Sequence, residues 1–239
     1  MNGPAVAGRG AHGGVDTAMR WDRIAAVAGL LYVALIVATF FTPETPDSGA
    51  SAQELATSLT ENRAGHQLSL LLGFLAGIAF LVFLAGLWSR FRRYEGVGGM
   101  MAGLFGLAGA AFAATILVSE GLYLTLVQAA ETADASVLPT LATLDYWVGI
   151  GTVPAGIAMM IGATGAILST HALPAWLGYL SGLIAVLLML TLGAVFETDE
   201  ETVLVAIGGF GGFLLFMVWA LATSVMLLTR STHREHAVA

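Results

Sequence analysis

The chain has 239 residues, of which 57% are hydrophobic and 10% are charged, and its formal net charge is -7. Soluble domains carry about 25% charged residues, so this composition indicates a polytopic membrane protein. The sequence contains no cysteine, and all nine basic residues are arginine. It therefore excludes disulfides, thiolate metal sites and lysine Schiff bases, and we expect no cofactor and no metal.

The predicted fold class is all-α, a polytopic membrane protein with a bundle of six transmembrane helices. Residues 1–20 lack the apolar core of a signal peptide and are predicted to form a disordered tail, followed by a transmembrane domain at 21–230 and a cytoplasmic tail at 231–239. Six apolar runs reach about the 20 residues that cross a hydrocarbon core of about 30 Å. They lie at about 23–41, 67–88, 98–128, 138–168, 176–196 and 203–229.

The arginines predict the orientation of this bundle. Eight of the nine lie on the side of the predicted spans that carries both chain ends, and Arg63 is the exception. Cytoplasmic flanks are enriched in basic residues, so both termini are predicted to be cytoplasmic. Arg90, Arg92 and Arg93, interleaved with aromatic residues, are predicted to contact anionic lipid headgroups. The use of arginine in place of lysine is typical of a bacterial genome, which predicts a location in the bacterial inner (plasma) membrane.

The longest predicted loop, at 42–66, contains a helix signal. Ser51 and Glu54 have the spacing of a capping box, and Leu55 and Leu59 then recur on one helical face. We predict a short amphipathic helix at about 51–62, lying on the outer face. One interpretation is that this helix only shields the end of the bundle. The other is that it acts as a lid or as a docking element for a partner.

Two carboxylates lie within the long apolar runs, Glu120 and Asp145. A count of about 20 residues from the inner end of each span places both acids at a similar level, near the outer boundary of the hydrocarbon core. One interpretation is that they are interfacial carboxylates in contact with water. The sharper hypothesis is that both converge on an outer vestibule with Arg63 and His66, where they bind protons or a cation.

Pro154 predicts a kink in the fourth span, and Gly149 and Gly151 make the backbone before it more deformable. The kink is either structural or exposes backbone carbonyls to an ion, as in discontinuous transporter helices. An acidic run at 197–201 predicts either a capping box or a divalent-cation site.

The first half of the chain resembles a family. The segments "RIAAVAGLLYVALIV" and "LLGFLAGIAFLVFLAGLWSRFRR", joined by an outer loop with a short Ala/Leu helix, are similar to uncharacterised bacterial multi-helix membrane proteins with a domain of unknown function. The resemblance implies a multi-helix membrane fold. It implies no site residues, because that group has no established activity.

The function expected from these features is that of a non-enzymatic transporter-like or channel-like unit for a small solute or cation, with an acidic outer vestibule. One alternative is an accessory subunit that packs into a larger membrane complex. Another is a membrane-embedded enzyme that uses Glu120, Asp145 and His66. The expected partners are membrane lipids and, through glycines at four-residue spacing such as Gly73 and Gly77, a second copy or another membrane protein. No nucleic acid is expected.

Overall fold

The computed structural model describes residues 9–44, 49–196, 203 and 205–238. These residues are helical almost throughout and include no β-strand, which confirms the all-α prediction. The eight α-helices described are α1 (Arg9–Thr39), α2 (Ala52–Glu61), α3 (Arg63–Glu95), α4 (Met100–Ala129), α5 (Leu138–Ile150), α6 (Val153–Thr170), α7 (Ala175–Thr191) and α8 (Gly211–Val238). Short 3₁₀ helices at Ala135–Val137 and Leu192–Phe196 and a π-helix at Val205–Phe210 complete the set.

The long apolar helices identify a multi-pass membrane protein. Five segments are long and apolar enough to cross a membrane, and they are Arg20–Thr39, Arg63–Glu95, Met100–Ala129, Leu138–Thr170 and Ile207–Thr229. The fifth predicted span, at 176–196, corresponds to α7, an apolar helix of only 17 residues. It reaches Phe196 only through the 3₁₀ helix that follows it.

The long helices form a closed ring. Along the ring, α1 packs against α3, α3 against α4, α4 against α6, α6 against α7, α7 against α8, and α8 against α1. The interior is filled by a cluster of aromatic side chains whose ring centroids lie 5.0 to 6.3 Å apart. Small residues allow the backbones to approach closely: a Cβ at Gly162 of α6 would lie 2.5 Å from the backbone nitrogen of Phe105 in α4.

A second, smaller hydrophobic cluster lies at the end of the bundle that carries α2. It contains Leu55 and Leu59 of α2, which are 0% exposed, together with residues of α3, α4 and α5. The N-terminus of α2 has a capping box between Ser51 and Glu54, because these side chains satisfy each other's backbone amides. We call this layer of α2 and the adjoining helix ends the cap.

The fourth span is broken rather than kinked. α5 ends at Ile150, and α6 begins at Val153 with Pro154 in its first turn, where a missing amide donor costs little. At the break the Thr152 hydroxyl donates to the Gly149 carbonyl over 2.7 Å. The same carbonyl also accepts from the Thr152 backbone amide over 3.0 Å, so it stays paired across the break.

Two predicted segments, at 1–20 and 197–201, are only partly described or lie outside the described residues. α1 begins at Arg9, so helix occupies much of the segment at 1–20 for which a disordered tail is predicted, and residues 1–8 lie outside the described part. The acidic run at 197–201 also lies outside the described residues. Both interpretations of that run therefore stay predictions.

Candidate functional site

Glu120 of α4 and Asp145 of α5 lie together at the α2 end of the ring. The hydroxyl of Ser119 donates a hydrogen bond of 2.6 Å to Asp145 Oδ1. Glu120, the next residue, is near enough to Asp145 for their charges to interact. Both acids are half-buried. The two carboxylates and one hydroxyl thus form a compact oxygen-rich group, which we call the acid pair.

The carboxylate of Glu120 lies against the backbone of α3 at Gly73. A Cβ added at Gly73 would meet Oε1 of Glu120 at 2.5 Å and Oε2 at 2.9 Å, closer than real Cβ contacts. A residue with a side chain at this position would therefore displace the carboxylate. Gly73 consequently holds open the space in which Glu120 sits.

The helix register gives the depth of the acid pair. Glu120 faces Gly73, and Gly106 of α4 faces Trp88 of α3 in the same antiparallel packing. At 1.5 Å per residue, Glu120 therefore lies about 21 Å along the axis from Trp88. Asp145 is followed directly by Tyr146 and Trp147, residue types that gather at membrane interfaces. Glu120 and Asp145 thus share one level of the bundle, beside the paired rings of Tyr146 and Trp147.

The acid pair lies short of the cap end of α4. α4 continues for about nine residues beyond Glu120, which corresponds to about 14 Å, and this extension packs into the cap. Along α4, Ala113 belongs to the large hydrophobic cluster inside the ring, and Tyr123 belongs to the smaller cluster in the cap. Glu120 therefore lies between the two hydrophobic clusters. This placement explains why both acids are half-buried rather than exposed.

His66 lies closer to the cap than the acid pair does, where α3 packs against α4. It is 0% exposed, and its Nδ1 is 2.7 Å from the hydroxyl oxygen of Tyr123. The ring also interacts with the backbone of Ser58 in α2, while Nε2 has no hydrogen bond to the described residues. The histidine is therefore a buried part of the cap.

Arg63 lies at the N-terminal end of α3, beside the cap. Its guanidinium forms an ion pair with Glu131 and donates a hydrogen bond of 2.8 Å to Oε1 of Gln128. This hydrogen bond from Arg63 lowers the pKa of the exposed Glu131 carboxyl. The structure thus brings Glu120 and Asp145 together, as the vestibule hypothesis expects, and assigns Arg63 and His66 to other contacts.

The acid pair can hold a proton or a small cation. Carboxylate and hydroxyl oxygens are hard ligands that suit such ions. A tightly held divalent metal usually takes more protein ligands than this pair supplies, and the described residues include no group of three or more His, Asp or Glu side chains placed to hold a metal.

At the opposite end of the bundle the structure corrects the prediction for Arg90. This arginine is 6% exposed, forms an ion pair with Asp22 of α1, and donates to the Ala172 carbonyl over 2.9 and 3.1 Å. Arg93 donates to the other oxygen of Asp22 over 2.6 Å. Arg90 thus joins α1, α3 and the α6–α7 connection instead of facing lipid, whereas Arg92 is exposed and stacks on Trp88.

Sequence reasoning missed four residues of these sites: Ser119, Tyr123, Gly73 and Asp22. Ser119 and Tyr123 had a usable signal, because they lie one and three positions from Glu120 on the same helix. Gly73 had none, since it is one of 30 glycines. Asp22 also had none, because its partner Arg90 is 68 positions away in the chain.

Comparison with known proteins gives a family and no activity. The model of the family described as a domain of unknown function, DUF4386, matches residues 27–224 of this chain. This match confirms the resemblance noted in the first half and extends it over most of the chain. No curated protein and no solved structure matched. The chain therefore belongs to the DUF4386 family of proteins with a domain of unknown function.

Proposed function

We propose that this protein is a transporter-like or channel-like unit that binds a proton or a monovalent cation at the Glu120–Asp145 pair. The observation that carries the proposal is that two half-buried carboxylates lie near enough for their charges to interact, and that the Ser119 hydroxyl donates a hydrogen bond to one of them, Asp145. Charged groups near membrane depth are costly and usually mark ion or proton pathways. The break between α5 and α6 lies about six residues from Asp145, which provides a flexible joint beside the site.

The full arrangement that we propose has six spans, with α7 and its 3₁₀ extension as the fifth span along the chain. Both termini lie in the cytoplasm of a bacterial cell, and the acid pair faces the outer side of the inner membrane. The arginine distribution supports this orientation, since eight of nine arginines lie on the side of the chain ends.

A flux assay in proteoliposomes tests the proposal. Protein is reconstituted into vesicles that contain a fluorescent indicator for H⁺, Na⁺ or K⁺, and each set of vesicles is challenged with a gradient of the ion that its indicator reports. Wild-type protein should move at least one of these ions, and the variant Glu120→Gln/Asp145→Asn should abolish that movement. The matched control is Glu61→Gln/Asp134→Asn, which removes two exposed acids at the same end of the bundle and should leave the flux unchanged.

Equal flux from the wild type and the acid-pair variant would overturn the assignment of the site. Absence of flux for all three ions with correctly folded protein would favour the second candidate, an accessory subunit of a larger membrane complex. One observation supports that candidate. The core of the ring is filled by packed aromatic side chains, among them Phe80, Phe216 and Trp219. They lie between the acid pair and the arginine end, by which we mean the end of the bundle that carries Arg90 and Arg93.

A further inference from the structure

A groove runs along the lipid-facing surface between α1 and α3. Its volume is about 690 Å³, which lies within the range of about 300 to 1,000 Å³ typical of small-molecule sites. Its walls are apolar side chains of both helices, including Val27, Leu31, Ile78 and Val82. These four residues are 40 to 60% exposed, so the groove is open to the membrane.

One end of the groove is cationic. Arg20 and Arg23 line it at the N-terminal end of the α1 span, on the side of the bundle that carries the arginine-rich end of α3. The groove therefore joins two guanidinium groups at the interface to an apolar channel that leads towards the middle of the membrane.

The length of the groove distinguishes a lipid from a helix as its occupant. Along α1 the lining extends from Arg20 to Leu35, which corresponds to about 22 Å at 1.5 Å per residue. A partner transmembrane helix packs along the whole hydrocarbon core of about 30 Å. A phospholipid occupies one leaflet, with its phosphate at the interface and its chains directed inward, and this shape matches a groove that is charged at one end only.

We propose that this groove is a binding site for one anionic phospholipid of the leaflet at the arginine end. The phosphate pairs with Arg20 and Arg23, as basic side chains at a membrane surface pair with anionic headgroups. One acyl chain lies between α1 and α3 against Val27, Leu31 and Ile78. The site is independent of the ion site proposed above.

Native mass spectrometry of the purified protein tests the site with defined lipids. The protein is mixed with equal amounts of phosphatidylglycerol and phosphatidylcholine of identical chains, and the retained lipid is counted. Each arginine near an anionic headgroup contributes about 1 kcal/mol, which corresponds to about fivefold in affinity. We therefore expect retention of one phosphatidylglycerol with a preference of roughly 30-fold, and loss of that preference in Arg20→Gln/Arg23→Gln.

Two further variants separate the groove from the general surface. Val27→Trp fills the groove with a side chain and should displace the lipid. Leu107→Trp, at a position of α4 that is 74% exposed and does not line the groove, should not. Because these positions are exposed to lipid, thermal melting should show that the variants remain folded.

Three outcomes would overturn the proposal. The first is equal retention of the two lipids by the wild type. The second is an unchanged preference in the arginine variant, or the same loss in Arg92→Gln, which would indicate a general surface charge effect. The third is a protein dimer in place of bound lipid, dissociated by Val27→Trp, which would identify a second copy of the chain as the occupant.

Discussion

At the scale of single residues, two close contacts hold a charged side chain in place within the bundle. The Glu120 carboxylate occupies the space where a side chain at position 73 would lie. The Arg90 guanidinium supplies hydrogen bonds to both Asp22 and the Ala172 carbonyl. Each contact joins elements that are distant in the chain, so substitution of one residue in either contact should have large and specific effects.

Gly73→Ala should destabilise the protein because its methyl group would overlap the Glu120 carboxylate. The overlapped atoms are the far end of a flexible side chain that can move aside, so the cost should lie at the low end of the range for overpacking, about 1 kcal/mol. Gly103→Ala is the matched control for the gain in helix propensity, since a Cβ there meets nothing within 4 Å. Thermal melting in detergent should place Gly73→Ala below Gly103→Ala by about 1 kcal/mol.

The same comparison in a Glu120→Ala background isolates the contact. Once the carboxylate has been removed, the difference between the two alanine variants should shrink, because the partner of the overlap is gone. A difference that persists in full would show that Gly73 is required for some other contact.

Arg90→Met should be among the most destabilising substitutions at the arginine end. It leaves Asp22 without the buried half of its ion pair and the Ala172 carbonyl without its side-chain donors, and breaking such a pair costs about 3–5 kcal/mol. Arg92→Met removes only an exposed stacking contact with Trp88, worth about 1 kcal/mol or less. Equal shifts in the melting temperatures of the two variants would contradict a structural role for Arg90.

At the scale of elements, the cap and the broken helix distinguish this bundle from a simple ring of spans. α2 is only ten residues long, so it depends on its capping box and on the burial of Leu55 and Leu59. The break at Gly151 and Thr152 places Pro154 at the start of α6, which avoids the cost of about 3 kcal/mol for proline inside a helix. Both elements adjoin the acid pair, and both are local features that substitution can perturb separately.

Ser51→Ala should loosen α2 without unfolding the bundle. The Ser51 hydroxyl caps the amide of Glu54 over 3.3 Å, and loss of such a cap costs about 1 kcal/mol. Hydrogen exchange should therefore accelerate about fivefold in the amides of α2, with little change in α3. Thr57→Ala, which alters an uncapped position of the same helix, is the control. Equal exchange in α2 of the wild type and Ser51→Ala would contradict the capping role.

Acid should loosen the same helix. The Ser51 amide and hydroxyl both donate to the Glu54 carboxylate, over 2.9 and 2.8 Å, and these hydrogen bonds lower the pKa of Glu54. A carboxyl whose pKa is lowered in the folded state stabilises the fold above its unfolded pKa of about 4.3, and that stabilisation disappears as the pH falls through the folded value. The intrinsic exchange rate of an amide itself slows in acid, so the measure is the protection of each amide relative to that intrinsic rate. The protection of the α2 amides should fall below about pH 4.3. In Glu54→Gln this fall should be smaller.

At the scale of the whole molecule, the sequence predicts those features that depend on local chemistry or on the fixed geometry of a helix. The capping box at Ser51, the interruption at Pro154 and the shared level of Glu120 and Asp145 all follow from residue type or from the constant rise of a helix. The burial of Arg90 could not be predicted, because it depends on Asp22 from another helix. The full burial of Leu55 and Leu59 could not be predicted either, since it requires α2 to pack against residues of α3, α4 and α5.

The most direct test of the central claim is whether the two acids act as a single ion site. Purified wild-type protein, Glu120→Gln, Asp145→Asn and the double variant are titrated with NaCl in weakly buffered solution, and proton release is recorded. If the carboxylates form one site, the wild type will release protons on Na⁺ binding, and each single variant will lose as much release as the double variant, because groups that act as a unit are not additive. Losses in the single variants that simply add, or undiminished release from the double variant, would contradict the account.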